Sequence, residues 1–474
     1  MATFTFIQQL WYEHPGVESI AAVLRENGHF VDVIIGTSAS KIAAAIKPGS
    51  VAAIPVMTGA HHWAVDTARE IKKKSDSLVI LGGPHATYFP EIINEPGIDI
   101  ISRGESEYAV LELAQAIDAG RNITGIRNLW VKKDDIIHKN PLRPLIDNLD
   151  DIPHPYREMY YNKYPSLRNT THKIFLAGRG CPFNCTFCFN ANLKDMYRSL
   201  GCYVRFRSPQ NIIDEIAQVR RAYPLKTVFF NDDIFILNQK WLESFLPLFK
   251  KKIDLPFYTC ARADTLTEDI AKMLKDAGCQ CVSFAIESGN EQIRNNILAK
   301  KITNDQIIRA ASILKKHKIR FAAYNMVGIP GETPENIIET IDLNIKIKTD
   351  YPRCSFLTPY PGTLIEKYAR DNGYISQTDN EINATSQQNE SLIKNDRINE
   401  IINLHDFFQL GVKCHTLMPL IKKLSKLPPN PIFKIVWYIS YFIIFTRSEG
   451  RSMKETFIFA INSFKTLFHR KKNR

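Results

Sequence analysis

Three cysteines in a glycine-bounded loop are the residues best equipped to do chemistry in this chain of 474 residues. Cys181, Cys185 and Cys188 stand in the stretch GRGCPFNCTFCFN, spaced C-x₃-C-x₂-C, with Phe187 directly before the last. Thiolates at such short separations can reach one compact inorganic cluster, and iron–sulfur clusters are held in this way. No fourth cysteine follows in the run, which leaves one iron open to a ligand that is not protein. A structural zinc site would need a fourth donor to close its tetrahedron. Gly178, Gly180 and Pro182 favour a tight loop wrapped round a guest over a plain core strand.

The elements that must position this loop begin at His172. IFLAGRG reads as a strand feeding the cysteines, followed by an amphipathic helix over 209–221 and the acidic-ended strand TVFFNDDIF. LPFYTCARAD, CVSFAIESGN, FAAYNMVGIPGET and CSFLTPYPGT add four strands, with helices over 267–277, 305–316 and 334–346 between them. This alternation predicts a partial (β/α)6 barrel with its active site at the strands' C-terminal ends. Asn231, Asp232 and Asp233, then Arg262, Glu287, Ser288 and Gly328, fall at those ends. Local alternatives exist: NDD can cap a helix, ESGN can be a turn, and GIPGET can cap the helix at Pro334. Cys260 and Cys354 lie on strands whose inner face they could join.

Before the barrel, residues 1–145 alternate short apolar runs (FTFIQQL, FVDVII, VAAIPVM, SLVILGG) with helical patterns over 17–27, 38–46 and 64–74. That pattern predicts a doubly wound, Rossmann-like parallel sheet in an α/β protein. Ligands of such sheets sit at the carboxyl ends of strands. In GGPHAT, Gly82 and Gly83 would let a ligand approach the backbone, with His85 and Thr87 as polar contacts. A plain strand-to-helix turn would use the same residues. Five prolines between Pro141 and Pro165 make 131–170 read as a connection, with the linker proper at 146–170. The barrel then spans 171–375, and a mainly helical, basic extension spans 376–474.

Composition fits this layout. Hydrophobic residues make up 45% and charged residues 23%, ordinary values for a globular protein. Nine cysteines with none before Cys181 are no disulfide framework. The N-terminus lacks a basic segment followed by an apolar run, and no run reaches the ~18–20 apolar residues of a spanning helix. The expectation is a cytoplasmic protein.

Two resemblances sharpen the chemistry. EHPGVESIAAVLRENGHFVDV, GGPHATYFPE and DIISRGESEYAVLELAQAI resemble the cobalamin-binding domain that precedes many radical S-adenosylmethionine domains. Gly16, Gly28, His29, Gly82, Gly83, Pro84, His85, Gly104 and Glu105 carry that match. The Asp-x-His-x-x-Gly motif is absent, so no residue is named as a cobalt ligand. The cysteine loop, NDD, IESGN, GIPGET and PYPGT resemble the radical S-adenosylmethionine superfamily across 170–375.

The resemblance implies that Cys181, Cys185 and Cys188 ligate a 4Fe–4S cluster whose open iron takes S-adenosylmethionine. It places Phe187 near the adenine, and Asn231, Asp232 and Asp233 where the superfamily usually has Gly-Gly-Glu to accept from the ammonium. Glu287 and Ser288 would meet ribose hydroxyls, and Gly328 would give backbone approach to the adenine. Arg262 stands between two readings, a contact to the methionine carboxylate and a surface salt bridge. The implied reaction is reductive cleavage to a 5′-deoxyadenosyl radical, fed by a reductant such as flavodoxin or ferredoxin. With cobalamin alongside, it leads to methylation of an unactivated carbon in a lipid-like or natural-product small molecule. Radical oxidative cyclisation or rearrangement is the neighbouring reading, and a cobalamin or redox sensor the non-catalytic one. RNA methylthiolation would need N-terminal cysteines that residues 1–180 do not contain.

The tail has its own signature. The polar stretch SQTDNEINATSQQNESLIKND reads as a surface excursion, and helical spacing returns in RINEIINLHDFFQLGVKCHTLMPLIKKL. Next, 435–446 is a 12-residue uncharged, mostly apolar run. From Ile421 onward there are 12 Lys and Arg against 2 Asp and Glu, so +10 of the chain's net +12 lies here. An apolar, aromatic helix beside basic clusters (422–426, 469–474) is the composition of a peripheral membrane contact. A buried helix with a solvated basic end is the alternative. No nucleic acid is expected as partner, since no aromatic-bearing RNA motif accompanies the charge.

Overall fold

The structure, a computed structural model, describes residues 1–376 and 391–468. Most of the polar excursion and the 469–474 basic cluster therefore lie outside the described residues. The chain forms two compact units. The first comprises Met1–Thr170, Tyr197–Cys202 and Phe457–Arg474, and the second Thr171–Met196 and Tyr203–Thr456.

In the first unit, strands β1 (Thr3–Gln8), β2 (Phe30–Ile35), β3 (Val51–Pro55), β4 (Val79–Gly82) and β5 (Ile100–Ser102) alternate with helices α1 (Pro15–Glu26), α2 (Ala39–Ala45), α3 (His61–Lys74), α4 (Gly83–Tyr88) and α5 (Glu107–Asp118). The first five strands run parallel, in the order β2-β1-β3-β4-β5. Phe6 faces Val33 across one ladder and Ala53 across the other. The order reverses between β1 and β3, and that switch point opens a crevice outside the carboxyl ends of these two strands.

Two further strands, β6 (Leu129–Lys133) and β7 (Ile136–Lys139), extend the sheet as an antiparallel hairpin. This corrects the reading of 131–140 as plain connection. Asp134 and Asp135 take φ of +50° and +61°, and acidic residues tolerate the left-handed turn that a two-residue hairpin requires. Short helices α6 (Glu158–Tyr161) and α7 (Pro165–Arg168) belong to this unit too. Tyr160 and Tyr161 are buried, and the Tyr160 hydroxyl donates to Gln8 Oε1 at 2.6 Å.

The second unit runs β8 (His172–Phe175), β9 (Gly178–Arg179), α8 (Phe189–Met196), β10 (Arg205–Phe206), α9 (Pro209–Ala222), β11 (Thr227–Phe230), α10 (Gln239–Lys252), β12 (Phe257–Ala261), α11 (Glu268–Asp276), β13 (Cys279–Glu287), α12 (Asn304–Lys316), β14 (Arg320–Val327), α13 (Pro334–Lys346) and β15 (Tyr351–Phe356). The helices α14 (Leu364–Asp371), α15 (Ile398–Lys413), α16 (Met418–Leu424) and α17 (Pro431–Ser448) follow, and α18 (Met453–Phe468) starts in this unit and belongs from Phe457 on to the first. Six parallel strands lie in the order β15-β14-β13-β12-β11-β8, so neighbours in space are successive in sequence. Such winding keeps the crossover helices on one face and curls the sheet into the expected half-barrel.

Strand alternation decides which side chains face the helices and which the hollow. Val228, Phe230, Phe257, Phe284 and Phe321 pack outward among the helices. Phe230 meets Phe235, Phe245, Phe249 and Phe257 at centroid distances of 4.6–5.9 Å, in stacked and edge-on geometry. Phe229, Tyr258, Cys281, Ala322 and Tyr351 form the inner face together with Ile444 of α17, and Cys260 joins them. Cys354 does not: it packs outward with Ile337, Ile341 and Phe408, one step out of phase with Tyr351 and Arg353. Helix α17 covers the edge strand β15, and its C-terminal end reaches the hollow, where Gly450 (φ +66°) leaves no room for a side chain beside Tyr258.

Candidate active site

The cysteine loop hangs from a short antiparallel pair, Arg179 opposite Arg205 and Gly178 opposite Phe206. Two glycines allow that closeness. A Cβ at Gly178 would come within 2.7 Å of the Arg205 carbonyl, and one at Gly180 (φ +92°) would collide with the Tyr203 carbonyl. Inside the loop, Thr186 is the staple. Its N–H donates to Leu298 O at 3.0 Å, its hydroxyl to Ile297 O at 2.7 Å, and its carbonyl accepts from Ile365 N at 3.0 Å. Lys194 of α8 donates back to Pro182 O at 2.8 Å.

The acidic end of β11 fixes the loop's two flanks. Asp232 Oδ1 accepts from Ala177 N at 2.9 Å and Gly178 N at 2.6 Å. Asp233 Oδ1 accepts from Asn190 Nδ2 at 3.0 Å, and Asn190 Oδ1 from the Tyr203 hydroxyl at 2.7 Å. Burial lifts the Asp232 carboxyl to about 7 against the pull of its two backbone donors, and its Oδ2 is buried without a partner. That orphan oxygen is an acceptor awaiting a donor. Asn231 keeps an exposed side chain while its N–H donates to Phe175 O.

Arg262 is no surface salt bridge: it is 6% exposed and stacks its guanidinium 3.7 Å over the Phe183 ring. Nη1 lies 3.8 Å from Cys185 Sγ, Nε donates to Asp264 Oδ1 at 2.7 Å, and Nη2 donates to the Lys300 carbonyl. Lys300 in turn pairs with Glu287 at 2.9 Å. Glu287 has φ +66° at a register shift between β13 and β14, an unusual conformation held in place by the buried ion pair. Ser288 is wholly buried, its carbonyl accepting from the buried Arg294 at 2.7 Å, so ESGN is a turn built round that arginine. Gly289 permits close packing on α13, since a Cβ would stand 2.5 Å from Glu339 O.

Gly328 (φ +71°) and Ile329 both donate their N–H groups to Glu332 Oε2, at 2.7 and 3.2 Å. Phe187 packs beside this loop, against Ile329, Leu298 and Ile365. Glu332 is fully buried and burial lifts its carboxyl to about 8. A carboxyl raised in the fold holds its proton while the unfolded chain releases it, so stability declines as pH climbs from the unfolded value near 4.3 towards 8. Glu332→Gln keeps the acceptor without the charge. Its melting temperature should match the parent at pH 5 and exceed it at pH 8.5; a deficit growing with pH would contradict the assignment.

The spacing of the motifs did not single out Thr186, Lys300 or Asp264. Glu332 lay within GIPGET but was indistinguishable from a capping residue. Thr333 does cap α13 in a capping box with Asn336, as the capping reading of that loop expects.

Among the described residues no three His, Cys, Asp or Glu side chains converge on a single-ion site. In the cysteine loop, burial pushes the Cys181 thiol up to about 11 and the Cys188 thiol upward. Three thiol donors on one short loop, each able to serve a different iron, fit a multi-iron cluster.

In the first unit the switch-point crevice is lined by the loops after β1 and β3. Glu13 is tied by Arg157 at 3.1 Å and the Tyr161 hydroxyl at 2.8 Å. Gln9 Oε1 and His14 Nδ1, on the same loop, are buried without partners. Gly82 ends β4 and Gly83 begins α4, where Gly83 (φ +89°) brings the chain against Val56. His85 is buried, bonds Thr58 at 3.1 Å and stacks on His61 at 4.3 Å. Burial, aided by His61 and His62, pushes His85 down to about 3, and burial pushes His14 down to about 4; both are neutral at physiological pH. Orphaned buried polar atoms beside the stacked His85 and His61 fit a large polar cofactor such as cobalamin with its amide-rich rim.

Residues 175–343 match the Radical SAM superfamily, and residues 11–114 match the B12 binding domain. The chain is 33% identical over 371 residues to an uncharacterized methyltransferase of Pyrococcus horikoshii, covering 76% of this chain and 79% of that protein. It is 28% identical over 298 residues to the anaerobic magnesium-protoporphyrin IX monomethyl ester cyclase of Rubrivivax gelatinosus, 60% of this chain but only 52% of the cyclase. Two solved structures share the fold. The cobalamin-dependent S-adenosylmethionine radical enzyme OxsB superposes with TM-score 0.68 at 15% identity, over 94% of this chain and 72% of that one. The radical S-adenosylmethionine methyltransferase TsrM from Kitasatospora setae gives 0.64 at 16%, over 78% and 75%.

Proposed function

The chain belongs to the radical S-adenosylmethionine enzymes that carry an N-terminal cobalamin-binding domain, and from that membership we propose that it methylates an unactivated carbon of a lipid-like or natural-product small molecule. The observation that carries this reading is the 371-residue similarity to a methyltransferase, together with both domain matches in the same order. When bound, the 4Fe–4S cluster and S-adenosylmethionine supply a radical able to take hydrogen from carbon, and cobalamin supplies a methyl carrier.

The protein's own part is binding, orientation and exclusion of water. Cys181, Cys185 and Cys188 hold the cluster on a loop stapled by Thr186. Arg262 sets a positive charge against Cys185. Asp232 Oδ2 accepts from the ammonium of S-adenosylmethionine, while Asp233 and Asn190 fix the far flank of the loop. Phe187 and the backbone at Gly328, held by Glu332, border the adenine. Glu287 accepts from the ribose and Lys300 orients its carboxylate. In the first unit, His85 holds Thr58 and the β3 loop against the corrin rim. Electrons come from a small reductant protein such as flavodoxin or ferredoxin. A lipid-like substrate fits an enzyme working at a membrane periphery.

Similarity to the cyclase favours a second reading, radical oxidative cyclisation. Anaerobically reconstituted protein, strong reductant and extract from a deletion strain separate the two. Methylation should yield S-adenosylhomocysteine and 5′-deoxyadenosine in comparable amounts, with deuterium from methyl-labelled S-adenosylmethionine in a product. 5′-Deoxyadenosine alone would favour cyclisation, and neither product would favour a sensor.

A further inference from the structure

From Ile435 to Phe445 helix α17 carries no charged residue and is apolar on more than one side, a pattern that belongs in a core or at a lipid boundary. Only one side has a core. Phe433 and Trp437 are buried, and Ile444 closes the inner face of the barrel. The opposite side presents Ile432 (70% exposed), Ile435 (54%), Ile439 (58%) and Ile443 (40%), one stripe at helical spacing. Nine of the seventeen large apolar side chains exposed among the described residues lie between Leu417 and Met453. A patch this concentrated on a folded surface marks an interaction site.

The surrounding charge says what covers it. Exposed Lys422, Lys423 and Lys426 stand before the stripe, and exposed Arg447 and Lys454 after it. Between residues 413 and 454 the only acidic residue is Glu449, buried and paired with Arg353 at 2.7 Å. No described helix is long and apolar enough to cross a membrane. An 18-residue helix can lie in the interfacial plane with one face submerged. We propose that α16 and α17 form a docking surface for an anionic membrane, the isoleucine stripe entering the acyl boundary and the flanking lysines and arginine meeting lipid phosphates.

The other face of α17 gives this surface a use. Tyr441 lies by Arg353 and Ile444 in the barrel's inner cluster, so the helix that would touch lipid also walls the hollow behind the cysteine loop. The inference deepens the membrane-peripheral reading and rests on it, but not on methyl transfer, because binding is measured without turnover.

Full-length protein is floated with vesicles of phosphatidylcholine alone or mixed with phosphatidylglycerol. Binding should require the anionic lipid and weaken as salt rises. Ile435→Ser/Ile439→Ser/Ile443→Ser and, separately, Lys422→Glu/Lys423→Glu/Lys426→Glu should each lower affinity about tenfold or more while keeping the parental melting temperature. Absence of binding by the parent protein, or parental binding by the isoleucine variant, would overturn the proposal. So would a parent that sediments as a dimer and an isoleucine variant that sediments as a monomer, because the stripe would then face a second copy.

Discussion

Alanine at Cys181, Cys185 or Cys188, one at a time, is expected to remove the iron and sulfide of the reconstituted protein and its broad visible absorbance. Formation of 5′-deoxyadenosine should fall roughly 10³-fold or more, because a cluster held by three thiolates acts as a unit. For the same reason single, double and triple variants should be nearly alike. Cobalamin uptake should persist in all of them, since the loops after β1 and β3 that line the switch-point crevice belong to the first unit. A single variant that kept full iron content would remove that cysteine from the ligand set. Loss of cobalamin uptake would signal a folding defect in place of a lost ligand.

The second large effect is expected far from the cysteines in sequence. Arg353 and Glu449 face each other with only 15% and 11% of their side chains accessible, and Arg353 also lies over the rings of Tyr324 and Phe445 at 5.0 Å. Burial alone would lift the Glu449 carboxyl, yet the charges of Arg353 and Arg451 outweigh it and hold it below the usual range. Glu449→Ala leaves a guanidinium buried without its counter-ion and should cost about 3–5 kcal/mol in urea unfolding. Arg353→Met/Glu449→Met should cost far less than either single change, because replacing both charges removes the uncompensated one. Additive losses would show that packing, not charge, governs the site. Since the folded pKa of Glu449 is depressed, the pair's contribution is present above the unfolded carboxylate value and lost as pH falls through the folded one.

Much of this protein was legible in its sequence, because local patterns dictated it. Cysteine spacing, the alternation of apolar runs with 3.6-residue periods, and glycines at strand ends each report a constraint that acts within a few residues. They fixed two α/β layers, a six-strand half-barrel and the place of every motif at a strand end. The 131–140 hairpin was hidden because its turn is Asp134-Asp135 and prolines follow closely, although the backbone needed only two residues able to adopt positive φ.

Tertiary structure alone decided the partners. Arg262 could have been a surface salt bridge; β12 instead carries it inward to Phe183 and Cys185, since a strand's period of two assigns faces only once the sheet is curled. By the same rule Cys260 turned to the hollow and Cys354 away from it. Lys300 meets Glu287, and Glu449 meets Arg353, across 13 and 96 residues of chain. A charge is buried only where a counter-charge arrives with it, and no local pattern encodes that arrival. The cysteine loop could be read from thirteen residues; the charges that hold its surroundings in place required the whole barrel.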